Sequence, residues 1–123
     1  YEDMVAKTVR MTLAEAASLW LDDQIHRDGI KTIKPAAGYS SCPDHTLKDE
    51  IMQMLSGRFG LGIKLTESYA MIPESSICGF IFMHPEAKYN EIRRISKEQY
   101  DGYASVRGMD EDRARRFLGH LLK

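Results

Sequence analysis

Apolar residues recur at helical spacing along the first part of the chain. Steps of three and four residues place such side chains on one stripe of an α-helix. The recurring positions are Val5, Val9, Leu13, Ala16, Ala17 and Trp20. The pattern predicts a helix over residues 4 to 27, and Gly29 marks its end because glycine readily adopts the left-handed conformation that stops a helix.

A second helix is predicted to begin after residue 46. Thr46 and Asp49 have the three-residue spacing of a capping box, and an apolar helical face follows them. The residues of that face are Leu47, Ile51, Met54 and Leu55. Gly57 is predicted to end this helix.

The middle of the chain is predicted to form strands, over residues 63–69, 76–83 and 89–95. Pro73 interrupts the segment between the first two strands. The connections are too short for crossover helices, so the strands should pair antiparallel.

Two short helices are predicted to close the chain. Ser96 with Gln99 caps the first, which stops near Gly108, and Asp110 caps the second. The expected fold class is α+β, with a central antiparallel sheet and helices packed around it.

Composition narrows the classes of function. The 123 residues are enough for one domain, taken as residues 1–123, and the net charge of −1 gives no basic surface for nucleic acid. No apolar run reaches membrane-spanning length, so no membrane contact is expected. The two cysteines make a disulfide framework improbable and fit a reducing cytoplasm, and no Cys/His spacing indicates a metal site.

The stretch 34–46 is too irregular for the interior of a helix or strand. It reads Lys-Pro-Ala-Ala-Gly-Tyr-Ser-Ser-Cys-Pro-Asp-His-Thr. Pro35 and Pro43 fix φ, and Gly38 permits positive φ. Such a loop holds one shape and presents its side chains, although most loops of this composition are plain connections.

This loop resembles the S-adenosylmethionine loop of the activation domain of cobalamin-dependent methionine synthase, which usually reads Arg-Pro-Ala-Pro-Gly-Tyr followed by Pro-(Asp/Glu)-His-Thr. Further blocks match the family in the same order. They are Leu-Ala-Glu-Ala at 13–16, Leu-Thr-Glu-Ser-Tyr-Ala-Met at 65–71, Gly-Phe-Ile-Phe-Met-His-Pro at 79–85 and Lys-Tyr at 88–89. The four blocks together make the resemblance specific.

The resemblance implies that the chain binds S-adenosylmethionine for the reductive methylation of a cobalamin. The cobalamin would be carried by a partner domain or protein of methionine synthase, with a flavodoxin-type protein as electron donor. No catalytic side chain is implied. The family positions that contact the ligand fall on Glu15, Lys34, Ala36, Gly38, Tyr39 and Tyr89. Each also has an ordinary interpretation as a solvated charge, an interfacial tyrosine or a turn residue.

Departures from the family pattern leave an alternative function open. Lys34 replaces an arginine that would grip a carboxylate with two parallel donors. The family domain is longer, this chain matches its C-terminal part, and a ligand-binding aspartate belongs to the upstream part. We therefore expect the chain to begin inside a longer protein or to be a stand-alone relative. The alternative function is a non-catalytic interaction domain that keeps the fold without the ligand.

Overall fold

The structure is a computed structural model that describes residues 1–26 and 29–123. Within these residues it contains four α-helices, a 3₁₀ turn and four short strands. The helices are α1 (Glu2–His26), α2 (Leu47–Phe59), α3 (Lys97–Val106) and α4 (Glu111–Leu118), and the 3₁₀ turn is Gly119–Leu121. The strands are β1 (Thr32–Ile33), β2 (Lys64–Leu65), β3 (Met71–Ile72) and β4 (Phe82–Met83). None of the helices in the described ranges is long and apolar enough to cross a membrane.

The α+β class with antiparallel pairing is confirmed, but the strands are shorter than predicted. They form two separate two-stranded sheets, β1 with β4 and β2 with β3, where a single central sheet was expected. The predicted strand over 89–95 is wrong, since that segment contributes only an isolated parallel bridge between Ile95 and Leu122. Strand β3 lies where a break was predicted.

Local hydrogen bonding explains why β2 ends early. The backbone N–H of Thr66 donates to the carbonyl of Ala70 at 2.9 Å, and the Thr66 hydroxyl accepts from the Ala70 N–H at 3.0 Å. Tyr69 inside this turn has φ 63°. A threonine hydroxyl that bonds nearby backbone favours a turn over strand pairing.

Helix α1 agrees with the predicted helix to within two residues at its start. Its predicted last residue, Arg27, lies outside the described residues, and Gly29 follows with φ 66°. None of the residues of α1 is buried. The predicted apolar stripe faces solvent, with Val9, Leu13 and Trp20 exposed by 53%, 57% and 65%.

The predicted capping box at the start of α2 is wrong. Thr46 has φ −70° and ψ −15° and makes no side-chain cap hydrogen bond. A capping residue normally has extended backbone, which Thr46 lacks. Its side chain is instead completely buried, and its hydroxyl accepts a hydrogen bond from Arg107 at 3.3 Å.

Helix α2 also ends later than predicted. Gly57 lies inside the helix, and the stop is Gly60, whose φ of 58° and N–H bond to Ser56 form a left-handed cap. Only part of the predicted apolar face of α2 points into the protein. Ile51 is buried, whereas Met54 is 66% exposed.

The two C-terminal helices form as predicted and contain the main core. Ser96 and Gln99 make a reciprocal capping box, and the Asp110 carboxylate accepts from the backbone N–H of Arg113 at 2.8 Å. The buried cluster consists of Tyr100, Ala104, Ala114, Leu118 and Leu121. Tyr103 of α3 and Arg107 at its end contact the 34–46 loop and hold it in place.

Candidate ligand-binding site

An open cleft of about 910 Å³ lies between α1, the 34–46 loop, α2 and residues 71–81. It brings together five of the six predicted site residues. These are Glu15, Lys34, Ala36, Tyr39 and Tyr89. A second cleft, of about 580 Å³ between α3 and α4, is lined by none of the six. The larger cleft is therefore the candidate site.

Lys34 projects towards α1 and is already paired there. Its ammonium group forms an ion pair with Asp22 and lies 3.4 Å from the carbonyl oxygen of Ser18. The side chain of Lys34 is 20% exposed. A ligand carboxylate at this position would have to share the lysine with Asp22.

Tyr89 connects a distant part of the chain to the loop. Its hydroxyl accepts a hydrogen bond from the backbone N–H of Lys34 at 2.6 Å. Tyr89 remains 56% exposed, and Tyr39 is 68% exposed. Both rings therefore have open aromatic surface at the cleft.

Gly38, the sixth predicted residue, is required by packing. It has φ 99°, and a Cβ atom there would lie 2.1 Å from the imidazole of His45. Its N–H donates to the carbonyl of Cys42 at 2.8 Å, which closes a tight turn. The structure therefore supports the turn interpretation of Gly38, which is not among the residues that line the cleft.

His45 and Lys48 form the inner support of this turn. The ammonium nitrogen of Lys48 lies 3.4 Å from Nδ1 of His45 and donates to the carbonyl of Tyr69 at 2.9 Å. Burial, followed by the positive charge of Lys48, lowers the pKa of His45 below its usual value. The neutral imidazole fits this position because it can accept from the lysine.

Asp44 anchors the loop to α3, a role that the sequence analysis missed. The carboxylate is 3% exposed, and one oxygen accepts from the backbone N–H of Thr46 at 2.8 Å. The other oxygen accepts from the hydroxyl of Tyr103 at 2.9 Å and lies 3.5 Å from Nε of Arg107, an ion-pair distance. Burial and this carboxylate raise the pKa of Tyr103. The Pro-Asp-His-Thr spacing indicates an Asx turn, but no sequence signal identifies the two distant partners.

A second network holds the 66–70 turn against α2 and α4. The hydroxyl of Tyr69 donates to Asp49 at 2.9 Å and accepts from Arg113 at 2.6 Å. The ring of Tyr69 packs edge-on against Phe117, with 5.0 Å between centroids. Burial, followed by the bond to Asp49, raises the pKa of Tyr69. Arg113 is therefore engaged within the chain.

Among the residues that the structure describes, two cations and two carboxylates line the cleft. They are Lys34, Lys48, Glu15 and Glu74. Glu74 was not predicted, and nothing in its sequence surroundings distinguishes it. Its carboxylate accepts a hydrogen bond from Nε of Arg10 at 3.2 Å, which links it to α1. Apolar side chains such as Met52 and Leu55 complete the wall. This combination suits a small zwitterionic molecule with an apolar or aromatic part.

Other residues considered for chemistry have structural roles. Cys42 and Cys78 are free thiols, and burial raises the pKa of each, which disfavours the nucleophilic thiolate. Nδ1 of His84 accepts a hydrogen bond from the backbone N–H of Glu86 at 3.1 Å. His84 thus serves as a hydrogen-bond acceptor in the loop that follows β4.

Comparison with known proteins finds a matching family and similar solved structures. The family described as the activation domain of vitamin B12 dependent methionine synthase matches residues 2–108. The crystal structure of the MetH reactivation domain bound to AdoHcy is similar to this chain, with 38% sequence identity and a TM-score of 0.70. The similarity covers 81% of this chain and 31% of that chain. The chain thus spans about a third of the solved relative.

Proposed function

Because the chain belongs to the family of activation domains of vitamin B12-dependent methionine synthase, we propose that its cleft binds S-adenosylmethionine. One observation carries the proposal: three separate parts of the sequence line the same cleft, and they contribute Glu15, the loop residues Lys34 and Tyr39, and Tyr89. The solved relative supports it, since that protein holds AdoHcy, the molecule left when S-adenosylmethionine gives up its methyl group.

The lining residues offer a partner for each charged part of this ligand. A carboxylate needs a cation, which Lys34 and Lys48 supply, while the positively charged ammonium and sulfonium groups need carboxylates. Among the described residues, Glu15 and Glu74 are the carboxylates that line the cleft, and Glu74 is also paired with Arg10. The exposed rings of Tyr39 and Tyr89 can stack on adenine or face the sulfonium. Glu74 is thus a second carboxylate in the cleft, and it could serve in place of the aspartate that belongs to the upstream part of the family domain.

In this proposal the bound molecule is a methyl donor for a partner's cobalamin. The reduced cobalamin, supplied with electrons by a flavodoxin-type protein, would provide the nucleophile that takes the methyl group. The chain's own contribution is to hold the sulfonium in one orientation and leave its methyl group accessible. A methyl displacement needs no acid or base from the protein, so a site without such a group is sufficient.

Isothermal titration with S-adenosylmethionine and with AdoHcy tests the proposed binding. We expect both to bind the wild-type chain, and we expect Glu15→Gln and Glu74→Gln each to weaken binding about 3- to 30-fold, as for the loss of one charge-assisted contact. Glu98→Gln is the matched control, because Glu98 is an exposed residue of α3 outside the cleft. Equal weakening by all three variants would contradict the assignment.

The ion pair between Lys34 and Asp22 favours the second candidate function. A cation already neutralised by its own chain is a poorer partner for a ligand carboxylate, as expected of an interaction domain that has lost the ligand. Absence of heat and of chemical-shift changes with either ligand, in a chain shown to be folded, would support that function over ligand binding.

A further inference from the structure

The outer face of α1 is an apolar surface that no described part of the chain covers. Val5, Val9, Leu13 and Trp20 are exposed by 47%, 53%, 57% and 65%. We call these four residues, together with Ala16, the α1 stripe. In a globular protein an amphipathic helix normally turns such a stripe towards a core. Here the 25-residue helix contributes no buried residue at all.

The opposite side of α1 faces the body of the protein. Ala14, Ser18 and Leu21 are half-buried and line the cleft. Val9 and Ser18 are nine residues apart, which is two and a half turns at about 3.6 residues per turn. The α1 stripe and the cleft therefore lie on opposite sides of the same helix.

The spacing and charge of the α1 stripe indicate a protein surface as its partner. Val9, Leu13, Ala16 and Trp20 follow one another at intervals of four, three and four residues, the spacing of a helix-packing seam. Over the span of the α1 stripe, residues 5 to 20, the charged residues are Lys7, Arg10 and Glu15. Glu15 lines the cleft, and Arg10, which flanks the stripe next to Val9, is paired with Glu74 of the cleft wall. A helix that binds a membrane surface carries several lysine or arginine residues on its flanks, and a coiled-coil dimer carries charged flanking positions along its length. The α1 stripe has neither feature.

We propose that the α1 stripe packs against an apolar surface of the part of the family domain that the structural similarity leaves uncovered. Helix α1 belongs to the family fold, because the family match begins at residue 2. The solved relative has about two thirds of its length outside the similarity, so it contains a large body of protein that this chain does not provide. The complementing part is an apolar polypeptide surface, either joined to this chain or separate from it. The inference rests on family membership and does not depend on ligand binding.

Co-expression tests this interface. The 123-residue chain would carry an affinity tag, and the region of the solved relative outside the similarity would be expressed untagged as the complement. We expect the wild-type chain to retain the complement in a 1:1 ratio, and Leu13→Asp to reduce its recovery at least tenfold. Val106→Asp is the matched control, because Val106 is 87% exposed at the end of α3, away from α1.

Three results would overturn the proposal. The first is failure of the wild-type chain to retain the complement, and the second is equal retention by Leu13→Asp and the wild type. The third is a stable dimer of the wild-type chain that the Leu13→Asp substitution dissociates but that the complement does not displace. The last result would assign the α1 stripe to a second copy of the chain. Val9→Asp provides an independent variant if circular dichroism shows that Leu13→Asp does not fold. Titration of each variant with S-adenosylmethionine measures ligand binding independently of the interface. Failure of this proposal can therefore be told apart from failure of the proposed function.

Discussion

Asp44 and Tyr103 are joined by a hydrogen bond of 2.9 Å although 59 residues separate them in the sequence. The bond connects the 34–46 loop to α3, and Arg107 at the end of the same helix pairs with the same carboxylate. The loop carries Lys34, Ala36 and Tyr39 to the cleft. The shape of the candidate site therefore depends on a buried contact outside it.

Replacing Asp44 by Asn should destabilise the protein by about 2 kcal/mol, because the buried carboxylate accepts a hydrogen bond from Tyr103 and pairs with Arg107, which would keep only its second partner, Glu50. Urea unfolding followed by circular dichroism measures the change. Asp101→Asn is the control, since it removes a carboxylate paired with Lys97 at an exposed site and should cost less than about 1 kcal/mol. Similar losses in the two variants would show that the Asp44 network contributes no special stability.

Replacing Gly38 by Ala should destabilise the protein by more than about 2 kcal/mol, because the new Cβ would collide with His45 and because φ 99° is strained for alanine. Gly102→Ala is the opposite control. Gly102 lies inside α3 with open space around its Cα, so alanine should stabilise the helix by up to about 1 kcal/mol. Thermal unfolding should show a lower stability for Gly38→Ala and a higher stability for Gly102→Ala than for the wild type. A Gly38→Ala protein as stable as the wild type would refute the packing argument.

Stability should fall as the pH is lowered through 6.5, in part because of His45. The folded protein lowers the pKa of His45 from its ordinary 6.5, so the unfolded chain binds the proton more readily. The free energy of unfolding therefore decreases once the pH falls below the pKa of His45 in the unfolded chain. It stops decreasing once the pH is below the pKa of His45 in the folded protein. In His45→Gln the dependence of unfolding free energy on pH between 7 and 5 should be shallower. An unchanged slope would exclude His45 as a contributor.

Freeing the Lys34 ammonium should tighten ligand binding if a ligand carboxylate uses it. Asp22→Asn removes the competing carboxylate and should lower the dissociation constant for S-adenosylmethionine about 3- to 10-fold. Lys34→Arg should tighten binding by about 1 kcal/mol if one bidentate contact is gained. Calorimetry measures both, with Asp101→Asn as control. Weaker binding in both variants would place the ligand carboxylate elsewhere, with Lys48 as the remaining cation.

Local features of this protein could be predicted from sequence because their physical cause lies within a few residues. The Ser96–Gln99 capping box, the Asp110 cap and the end of α1 before Gly29 depend on neighbouring backbone groups. The motif blocks also predicted the family to which the chain belongs, and five of the six residues that they singled out, all but Gly38, line the cleft. That these residues bind a ligand stays a prediction. The extent of residues 1–123 as one domain stays a prediction.

Tertiary structure alone decided the orientation of α1 and the partners of the charged groups. An apolar stripe predicts a helix but does not specify what covers it, and here the opposite side of the helix faces the body of the protein. The pairing of Lys34 with Asp22 and of Asp44 with Tyr103 depends on where distant elements pack. Thr46 shows the same limit, because a buried contact with Arg107 takes its hydroxyl in place of the predicted cap. Such contacts are set by three-dimensional proximity, which short-range sequence patterns do not encode.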